Sequence, residues 1–483
     1  MLQTALTILF LIAVIGALVV IITDNRHPGT KVAWIMVILV LPVLGLVLYL
    51  LFGLNIRHHW MFLKHHQQSI DMFLREKDEA LENLLFSHSR DMEVEERFRP
   101  LARLLGRDAR PCVTGNNSLE IITTGRRKFE LLVRDLENAK ESIHIEYFHF
   151  GADSGSEAIR DILVRKAAEG VKVRFINENI ANLPIFPHYY DRMKKAGVEV
   201  VKFTDPRRHV LDMYTSLNYR DHRKIVVIDG KIGYVGGMNI NNHYFLKWRD
   251  THLRLTGDAV SGLQYAFLDS WITSGGTLDR PMTDLYPMLR GKVQEETAEH
   301  ADALVQIVPD DPLGAYPVIR MGLEWALNNA REYIYIQTPY FVPPESVMSA
   351  LKTAALSGVD VRLMLPEKVD TPILGSVNRS YYEECLEAGV RIFERGGEFI
   401  HSKTFVCDGY LSCIGSSNLD YRSFNESYEI NVYIYGSDVA SSCREIFLKD
   451  LGISREVTLE QLRSTPWHRK LWRKFLSLFS TLM

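Results

Sequence analysis

The residues best suited to chemistry occur in two copies of one polar motif, H-x-K-x4-D-x6-G-[GS]-x-N, in a chain of 483 residues. An acid follows each copy, eleven residues after the asparagine. The first copy and its acid are His222, Lys224, Asp229, Asn239 and Asp250, and the second are His401, Lys403, Asp408, Asn418 and Glu429. One copy alone would be typical of polar surface residues beside an ordinary turn. Two copies with the asparagine and the acid at identical offsets argue against coincidence and indicate function.

The spacing within each copy predicts a β-hairpin. His222 and Lys224 stand two residues apart, so on a strand they point to the same face. Asp229-Gly230 between two apolar runs is a hairpin-turn dipeptide. Because Asp229 and its equivalent Asp408 fall in the turns, we expect them to brace the hairpin rather than to touch the substrate first. The glycines that end each return strand allow the backbone to approach a ligand closely.

Two such hairpins facing one pocket could bind and transfer a phosphodiester. Two ammonium groups and the amides of Asn239 and Asn418 would surround the phosphate. At ~4 Å and an effective dielectric of ~20, each lysine contributes about 4 kcal/mol of attraction before desolvation. One histidine attacks phosphorus and the other protonates the leaving alkoxide. Asp250 and Glu429 would each hold the far ring nitrogen of a histidine and fix its tautomer.

Composition narrows the class of protein. No Asp, Glu and His cluster has the spacing of metal ligands, so the sequence predicts neither metal nor cofactor, and the lysines take the place of Mg²⁺. Five scattered cysteines without C-x-x-C spacing argue against a zinc cluster or a disulfide scaffold. A net charge of −3 excludes a nucleic-acid binder that is basic over its whole length. Hydrophobic residues at 47% and charged residues at 24% exclude disorder over most of the chain.

An internal duplication must position the two motifs. The segment 139–148 resembles 330–339, and 169–175 resembles 357–363. Each half reads as strand, helix, strand, helix, strand, which predicts an α/β fold with a mostly parallel sheet and helices on its faces. The predicted divisions are a transmembrane hairpin over 1–56, a juxtamembrane connector or solvated helix over 57–115, a first domain over 116–300, a second over 301–456, and a tail over 457–483.

The N-terminus predicts two membrane-crossing helices. Residues 2–22 and 32–54 carry no charge, and each run is long enough to cross ~30 Å of hydrocarbon as a helix. A cleaved signal peptide is the alternative for the first run, but no Lys or Arg precedes it. A buried core helix is the alternative for the second, although Trp34 and Tyr49 near its ends suit a membrane interface. The basic residues of the flanks favour catalytic domains on the cytoplasmic side.

The C-terminal tail predicts a basic amphipathic helix. Thr465-Pro466 reads as a helix start, and apolar residues from Trp467 to Leu482 then follow helical spacing with four cations between them. Such a helix lies in an anionic membrane interface. The alternative is a terminal helix that docks on the core.

The motifs and several other runs of the sequence resemble those of a known family. The paired motif is similar to that of the phospholipase D superfamily. The N-terminal hairpin, the run Trp248-Arg-Asp-Thr-His-Leu-Arg-Leu-Thr-Gly257 and the run Thr338-Pro-Tyr-Phe-Val-Pro343 resemble bacterial cardiolipin synthases. The resemblance implies two tandem phospholipase D-like α/β/α domains related by pseudo-twofold symmetry, in a multi-pass protein of the bacterial inner membrane. It departs at Val308-Pro-Asp-Asp-Pro312, where many relatives have a Ser-Gly-Pro turn, so no role is given to that loop.

The resemblance also implies a reaction. A phosphatidyl group passes from one phosphatidylglycerol to another through a phosphohistidine, which gives cardiolipin and glycerol. One half of the catalytic site would be His222, Lys224 and Asp229, and the other half His401, Lys403 and Asp408, with His222 as nucleophile and His401 as acid and base. Two alternatives stay open: a hydrolase that uses water as acceptor, and a non-catalytic membrane scaffold that keeps the fold. The expected partners are phosphatidylglycerol and cardiolipin in an anionic membrane, and no nucleic acid.

Overall fold

A computed structural model describes residues 2–23, 28–49, 89–106, 112–182, 188–203, 219–287 and 300–478. Residues 57–88 of the predicted connector and 479–483 of the predicted tail lie outside the described residues. The apolar N-terminal runs form α1 (Leu2–Thr23), α2 (Pro28–Val40) and α3 (Pro42–Leu48). Among the described residues, no helix has both the length and the hydropathy needed to cross a membrane, so the transmembrane hairpin stays a prediction.

A short helical segment precedes the first half of the duplication. It comprises two 3₁₀ turns (Asp91–Glu93 and Glu96–Phe98) and α4 (Arg99–Leu105). The first half then runs β1 (Thr114–Thr124), α5 (Gly125–Glu137), β2 (Ser142–Tyr147), α6 (Ser154–Ala168), β3 (Lys172–Glu178), α7 (His188–Lys195), β4 (Glu199–Phe203), β5 (Arg220–Asp221), β6 (Lys224–Ile228), β7 (Ile232–Gly236), α8 (Asn242–Leu246), β8 (Arg249–Thr256), α9 (Val260–Thr273) and a 3₁₀ turn (Met282–Leu285).

The second half largely follows the same order and adds two strand pairings. It runs β9 (His300–Asp310), α10 (Val318–Asn329), β10 (Tyr333–Gln337), β11 (Phe341–Val342), α11 (Glu345–Leu356), β12 (Asp360–Pro366), α12 (Pro372–Asn378), α13 (Tyr382–Glu387), β13 (Arg391–Arg395), β14 (Thr404–Cys407), β15 (Leu411–Gly415), β16 (Leu419–Asp420), α14 (Tyr421–Asn425), β17 (Ser427–Tyr435), α15 (Ser437–Leu451) and β18 (Ser454–Val457). The added pairings are β11 with β16 and β13 with β18. The described part of the chain closes with α16 (Leu459–Arg463) and α17 (Trp467–Ser477).

One continuous sheet joins the two halves. Its order is β18-β13-β12-β10-β14-β15-β17-β9-β1-β8-β7-β6-β2-β3-β4, and β5 pairs with β17. The order reads the same outward from the central pair β1–β9, because β17 and β8, β15 and β7, β14 and β6, and β10 and β2 occupy equivalent places. The duplication expected from the sequence is therefore present as a pseudo-twofold arrangement of strands.

The prediction of a mostly parallel sheet is wrong for the centre of the molecule. Only the outer pairs β2–β3, β3–β4, β10–β12 and β12–β13 are parallel in the main order. The central strands pair antiparallel, including β1 with β9 and both motif hairpins. The physical reason is that each motif hairpin reverses the chain over the three residues between its paired strands, whereas a parallel pair needs a longer crossover connection. The two motif hairpins thus place antiparallel strands between the parallel outer layers.

Each motif does form the predicted hairpin. β6 pairs with β7 and β14 pairs with β15, and each pair is joined by an Asp-Gly turn. Asp229 and Gly230 have φ of 52° and 60°, and Asp408 and Gly409 have φ of 47° and 63°. Both central residues therefore lie in the left-handed region that a type I′ hairpin turn requires, which Asp and Gly adopt more readily than other residues.

Apolar side chains from both halves pack together under the central strands. Leu253 and Leu255 of β8 share one buried cluster with Ile307 of β9 and with Ile430 and Val432 of β17. Because the two acid-bearing strands, β8 and β17, belong to this common core, the halves cannot separate without exposing it. The core thus fixes the relative position of the two motifs.

Candidate active site

A cavity of about 530 Å³ opens between the two halves, and both motif histidines line it. Its wall also contains both motif asparagines and residues from the loops that follow the strands of each half. The lining comprises Phe148, His149, Arg220, His222, Asn239, Asn241, His243, Tyr244, Trp248, Tyr340, Val342, Asp370, Leu374, His401, Asn418, Asp420, Arg422, Ser423 and Ser427. The two histidines therefore share a single space, as the paired motif predicts.

His222 is held by the opposite half of the chain. It lies between β5 and β6, and its backbone N–H donates to the carbonyl of Tyr428 on β17 at 2.9 Å. That contact sets the ring beside the next residue of β17, and His222 Nδ1 lies 3.0 Å from Oε1 of Glu429. The carboxylate can hold a proton on Nδ1, which leaves Nε2 with a free lone pair for chemistry.

His401, from the second half, is held in the same way by a strand of the first half. Its backbone N–H donates to the carbonyl of Arg249 on β8 at 2.7 Å. Its Nδ1 lies 2.8 Å from Oδ2 of Asp250, the next residue of β8. Each acid thus lies against Nδ1 of the histidine from the opposite half. The orienting role of the acids stays a prediction.

Burial and nearby lysines favour the neutral form of both imidazoles. Burial lowers the pKa of His222, and Lys224 and Lys403 lower it further. Burial lowers the pKa of His401 to about 3, with Lys403 adding to the effect against the opposing pull of Asp250. A neutral imidazole with a free nitrogen is the form that can attack phosphorus.

The motif lysines lie behind the histidines, buried, and are not part of the cavity wall. Lys224 Nζ donates to the carbonyl of His222 at 2.6 Å. Lys403 Nζ donates to the carbonyl of His401 at 2.5 Å and lies 3.0 Å from His401 Nε2. Burial lowers the pKa of Lys224 to about 8 and that of Lys403 to about 7. An arriving anion therefore favours protonation of Lys403 and further favours the charged form of Lys224.

The two acids differ in their surroundings. Burial raises the pKa of Glu429 to about 7, against the lowering by Lys224 and by a hydrogen bond from Ser416. Asp250 accepts a hydrogen bond from the backbone N–H of Thr251 at 2.6 Å. Gly237 takes the place of Ser416 in the first half, so the half-sites are similar in geometry but not identical in chemistry.

The motif asparagines lie in the wall but are not equivalent. The Asn239 amide donates to the Tyr244 hydroxyl at 2.9 Å, and its Oδ1 accepts the backbone N–H of His149 at 3.2 Å. The Asn418 Oδ1 atom is buried and has no hydrogen-bond partner within the described ranges. Phosphate binding by the two amides stays a prediction.

The motif aspartates lie in the hairpin turns, away from the cavity wall. Asp229 accepts backbone N–H groups from Lys140, Glu141 and Ser142, the residues that lead into β2. Asp408 accepts those of Arg331, Glu332 and Tyr333 at the equivalent start of β10. Each aspartate thus ties its hairpin to the neighbouring strand, which supports the bracing role expected from the turn position rather than contact with substrate.

Several wall residues were not singled out as site residues from the sequence. Arg220 lies against Phe148 and makes two hydrogen bonds to Glu178, at 2.6 and 3.0 Å. Tyr340 donates to the carboxylate of Asp370 at 2.9 Å. Arg220 begins the two-residue strand β5, and Tyr340 lies on the loop between β10 and β11. Neither belongs to a repeated spacing, so the only signal in the sequence is their proximity to the motifs or to the family-like runs.

Aromatic side chains lie around His401. Tyr244, Trp248 and Phe399 have ring centroids 5.3, 5.5 and 5.9 Å from that of His401. Across the part of the chain that the structure describes, His, Cys, Asp and Glu form no group that could hold a metal ion.

Two His-Lys half-sites on one duplicated α/β fold place the molecule among the phospholipase D-like proteins. The family model described as "Cardiolipin synthase, PLD-like domain" matches residues 132–270 and 323–451, and the model "Phospholipase_D-nuclease N-terminal" matches 8–53. The chain belongs to the cardiolipin synthase family of phospholipase D-like proteins.

Relatives extend the similarity over nearly the full length. The chain is 34% identical over 486 residues to a cardiolipin synthase of Halalkalibacterium halodurans, across 99% of this chain and 94% of that protein. It is 36% identical over 471 residues to "Cardiolipin synthase 2" of Bacillus anthracis, across 96% and 89%. The crystal structure of a phosphatidylserine synthase from Haemophilus influenzae shares the fold, with a TM-score of 0.58 and 16% identity over 76% of this chain and 95% of that one.

Proposed function

We propose that the chain is a phosphatidyltransferase that joins two phosphatidylglycerol molecules into cardiolipin and releases glycerol. The observation that carries the proposal is the crossed arrangement of His222 with Glu429 and His401 with Asp250 around one cavity. It supplies two oriented imidazoles and two buried ammonium groups, the groups that an in-line displacement at a phosphodiester needs. Relatives named cardiolipin synthase over nearly the full length favour lipid phosphodiesters as substrates.

The first chemical step forms a covalent intermediate. Nε2 of His222 attacks phosphorus of the first phosphatidylglycerol, and a P–N bond forms as the P–O bond to glycerol breaks. Nε2 of His401 gives its proton to the departing glycerol oxygen. For that donation His401 must be protonated, and the negative charge of an arriving phosphodiester favours this by raising the pKa of the imidazole beside it. Lys224 and Lys403 stabilise the charge on the transferring phosphoryl oxygens.

The second step resolves the intermediate and regenerates the enzyme. A glycerol hydroxyl of the second phosphatidylglycerol attacks phosphorus while His401 accepts its proton. The P–N bond breaks and cardiolipin leaves. Because each step is the reverse of the other with a different alcohol, the transfer is reversible. The assignment of His222 as nucleophile rests on the family resemblance, since the two half-sites are so similar.

We also propose that the N-terminus anchors the enzyme in the inner membrane, with the catalytic halves on the cytoplasmic side. The described N-terminal helices expose large apolar side chains, among them Leu9, Val40 and Val43 at 65%, 67% and 67% exposure. Such surfaces are unfavourable in water and favourable in lipid. The division into a hairpin, a connector, two catalytic domains and a tail belongs to the same proposal.

The product of the purified full chain tests the reaction. Given vesicles of phosphatidylglycerol alone, the enzyme should release glycerol and accumulate cardiolipin in equal amounts, measured by enzymatic glycerol assay and lipid mass spectrometry. The chain with both motif histidines replaced by Ala is the control for background hydrolysis. Formation of phosphatidic acid without cardiolipin would replace the transferase with a hydrolase that uses water as acceptor.

A further inference from the structure

The C-terminal helix α17 exposes its apolar side chains instead of burying them. Five large apolar residues at or just after this helix are 48–75% exposed, namely Trp467, Leu471, Trp472, Phe475 and Leu478. Four of these, at 467, 471, 475 and 478, recur at the spacing of one helical face. A terminal helix that docked on the core in the ordinary way would bury this face. Among the residues that the structure describes, most of this face is exposed, which leaves room for another occupant.

The helix nevertheless has a fixed place beside the cavity. Leu476 is buried and packs with Val342 and Val377, and Tyr381 lies against the same cluster. Val342 also lines the active-site cavity, and Val377 belongs to α12, which supplies the lining residue Leu374. One side chain of α17 thus docks on the wall of the cavity, while the apolar face points away from the cluster.

The charges on α17 favour an anionic partner. Arg469, Lys470, Arg473 and Lys474 interrupt the apolar residues, and the helix contains no acidic residue. Tryptophans beside cations are typical of a helix that lies in the interface of an anionic bilayer, with rings at the headgroup level and charges near lipid phosphates. A protein partner would instead need a groove that is both acidic and apolar, whereas an anionic bilayer supplies both properties.

Two further exposed apolar side chains belong to elements that line the cavity. Ile373 of α12 is 50% exposed and precedes the lining residue Leu374. Leu246 of α8 is 64% exposed and stands between the lining residues Tyr244 and Trp248. Apolar residues on the cavity-lining elements of both halves suit a cavity that takes its substrate from a lipid surface.

We propose that α17, together with Ile373 and Leu246, is a docking surface for an anionic phospholipid bilayer and holds the mouth of the cavity against it. The inference rests on the proposed function only in taking the docked lipid to be the source of the substrate. The docking itself requires a bilayer with anionic headgroups, whichever reaction follows. It also acts independently of any anchoring by the N-terminal helices.

The first test places a probe on the helix in the full chain reconstituted into phosphatidylglycerol-containing vesicles. Leu471→Cys carries an environment-sensitive fluorophore, and Leu356→Cys at the end of α11 is the matched control, since Leu356 is 73% exposed and Leu471 61%. The unsubstituted chain, labelled in parallel, corrects for native cysteines. We expect a blue shift, and quenching by nitroxide lipids, at position 471 only. Equal quenching at both positions, or none at 471, overturns the proposal, as does a signal at 471 that follows protein concentration instead of lipid.

The second test separates docking from catalysis. The double variant Leu471→Glu with Trp472→Glu should lose about tenfold or more of its turnover on bilayer phosphatidylglycerol, since the apolar and charge terms of interfacial binding both weaken. It should keep turnover within about twofold on a short-chain, monomeric phosphatidylglycerol, which reaches the cavity without a bilayer. Leu356→Glu is the control. Equal loss on both substrates, or loss on neither, overturns the docking role. A wild-type chain that makes no cardiolipin from either substrate overturns the proposed function instead.

Discussion

The imidazole of His222 and the carboxylate of Glu429 come from opposite halves of the chain and meet with Nδ1 and Oε1 3.0 Å apart. The backbone N–H of His222 bonds the carbonyl of Tyr428 at 2.9 Å, so one stretch of β17 holds both the main chain and the ring. The equivalent contacts place His401 on Arg249 and Asp250. Each half-site is therefore incomplete without the other half, which explains why two copies are needed for one site.

The crossed pairs predict which acid supports which histidine. Glu429→Gln should impair the step that depends on His222, and Asp250→Asn the step that depends on His401. Each should lower kcat by about 10–100-fold, the usual effect of losing a carboxylate that orients a histidine. Rapid-quench measurements on labelled phosphatidylglycerol should show slower formation of labelled enzyme with both variants, because His222 attacks and His401 protonates the leaving group in that step. A donor whose leaving group needs no proton should restore labelling in Asp250→Asn only. Pairing within each half would produce the opposite assignment.

The roles of the histidines predict different fates for the intermediate. His222→Ala should abolish covalent labelling, with a loss of turnover beyond the ~10²–10⁴-fold of acid–base assistance because the nucleophile itself is gone. His401→Ala should still accept label when the donor carries a good leaving group that needs no proton. Phosphohistidine hydrolyses in acid, so the labelled peptides are mapped at alkaline pH. Label at position 401 in the wild-type chain would exchange the two roles.

The space around Gly237 predicts that a side chain at this position would displace the carboxylate of Asp250. A Cβ atom at this position would lie 2.3 Å from Asp250 Oδ1, too close for any real contact. Gly237→Ala should therefore push the carboxylate away from His401 and lower kcat much as Asp250→Asn does, with little change in melting temperature. Gly396→Ala is the matched control, since its Cβ would have no neighbour nearer than 3.5 Å. Full activity in Gly237→Ala would show that Asp250 need not stay in place.

Local patterns in the sequence were sufficient to predict the hairpins, but not the contacts between halves. The spacing of two between His222 and Lys224 and the Asp-Gly turns are local signals, so the sequence predicts the hairpins. Asp250 stands closer in sequence to His222 than to His401, and only the tertiary fold reveals the crossing. The antiparallel centre was missed because alternating apolar residues do not indicate the direction of a neighbouring strand.

The buried titratable groups predict a bell-shaped pH profile. Glu429, with a pKa raised by burial to about 7, must be ionised to hold a proton on His222 Nδ1, so kcat/KM should rise as pH increases through that value. Lys403, with a pKa lowered by burial to about 7, must be protonated to attract phosphate, so kcat/KM should fall as it loses its proton. The coupled groups should give a narrow maximum near neutral pH.

Lys403→Arg is the variant that checks this explanation. Arginine stays protonated in proteins, so the decline on the alkaline side should move to higher pH while the acid side stays in place. A profile of kcat/KM against pH, measured at fixed ionic strength, distinguishes the two sides. A wild-type profile that is flat from about pH 6 to about pH 9 would contradict the role of both groups.

The turn aspartates predict an effect on stability rather than on chemistry. Burial raises the pKa of Asp408, but the backbone N–H groups of Glu332, Tyr333 and Arg331 and the guanidinium of Arg97 outweigh it, so its pKa lies below the ordinary value. Asp408→Asn keeps the left-handed turn, since Asn tolerates that conformation, but loses the charge that these donors stabilise. The variant should lose about 1–3 kcal/mol of stability.

Thermal unfolding and kinetics together check this assignment. The melting temperature of Asp408→Asn should fall, while kcat and KM measured well below it should stay within about twofold of the wild-type values, because the turn lies away from the cavity wall. Asp229→Asn should behave alike, since its carboxylate accepts the equivalent N–H groups at the start of β2. An unchanged melting temperature combined with a large loss of kcat would move these aspartates from bracing the hairpins to acting in the reaction.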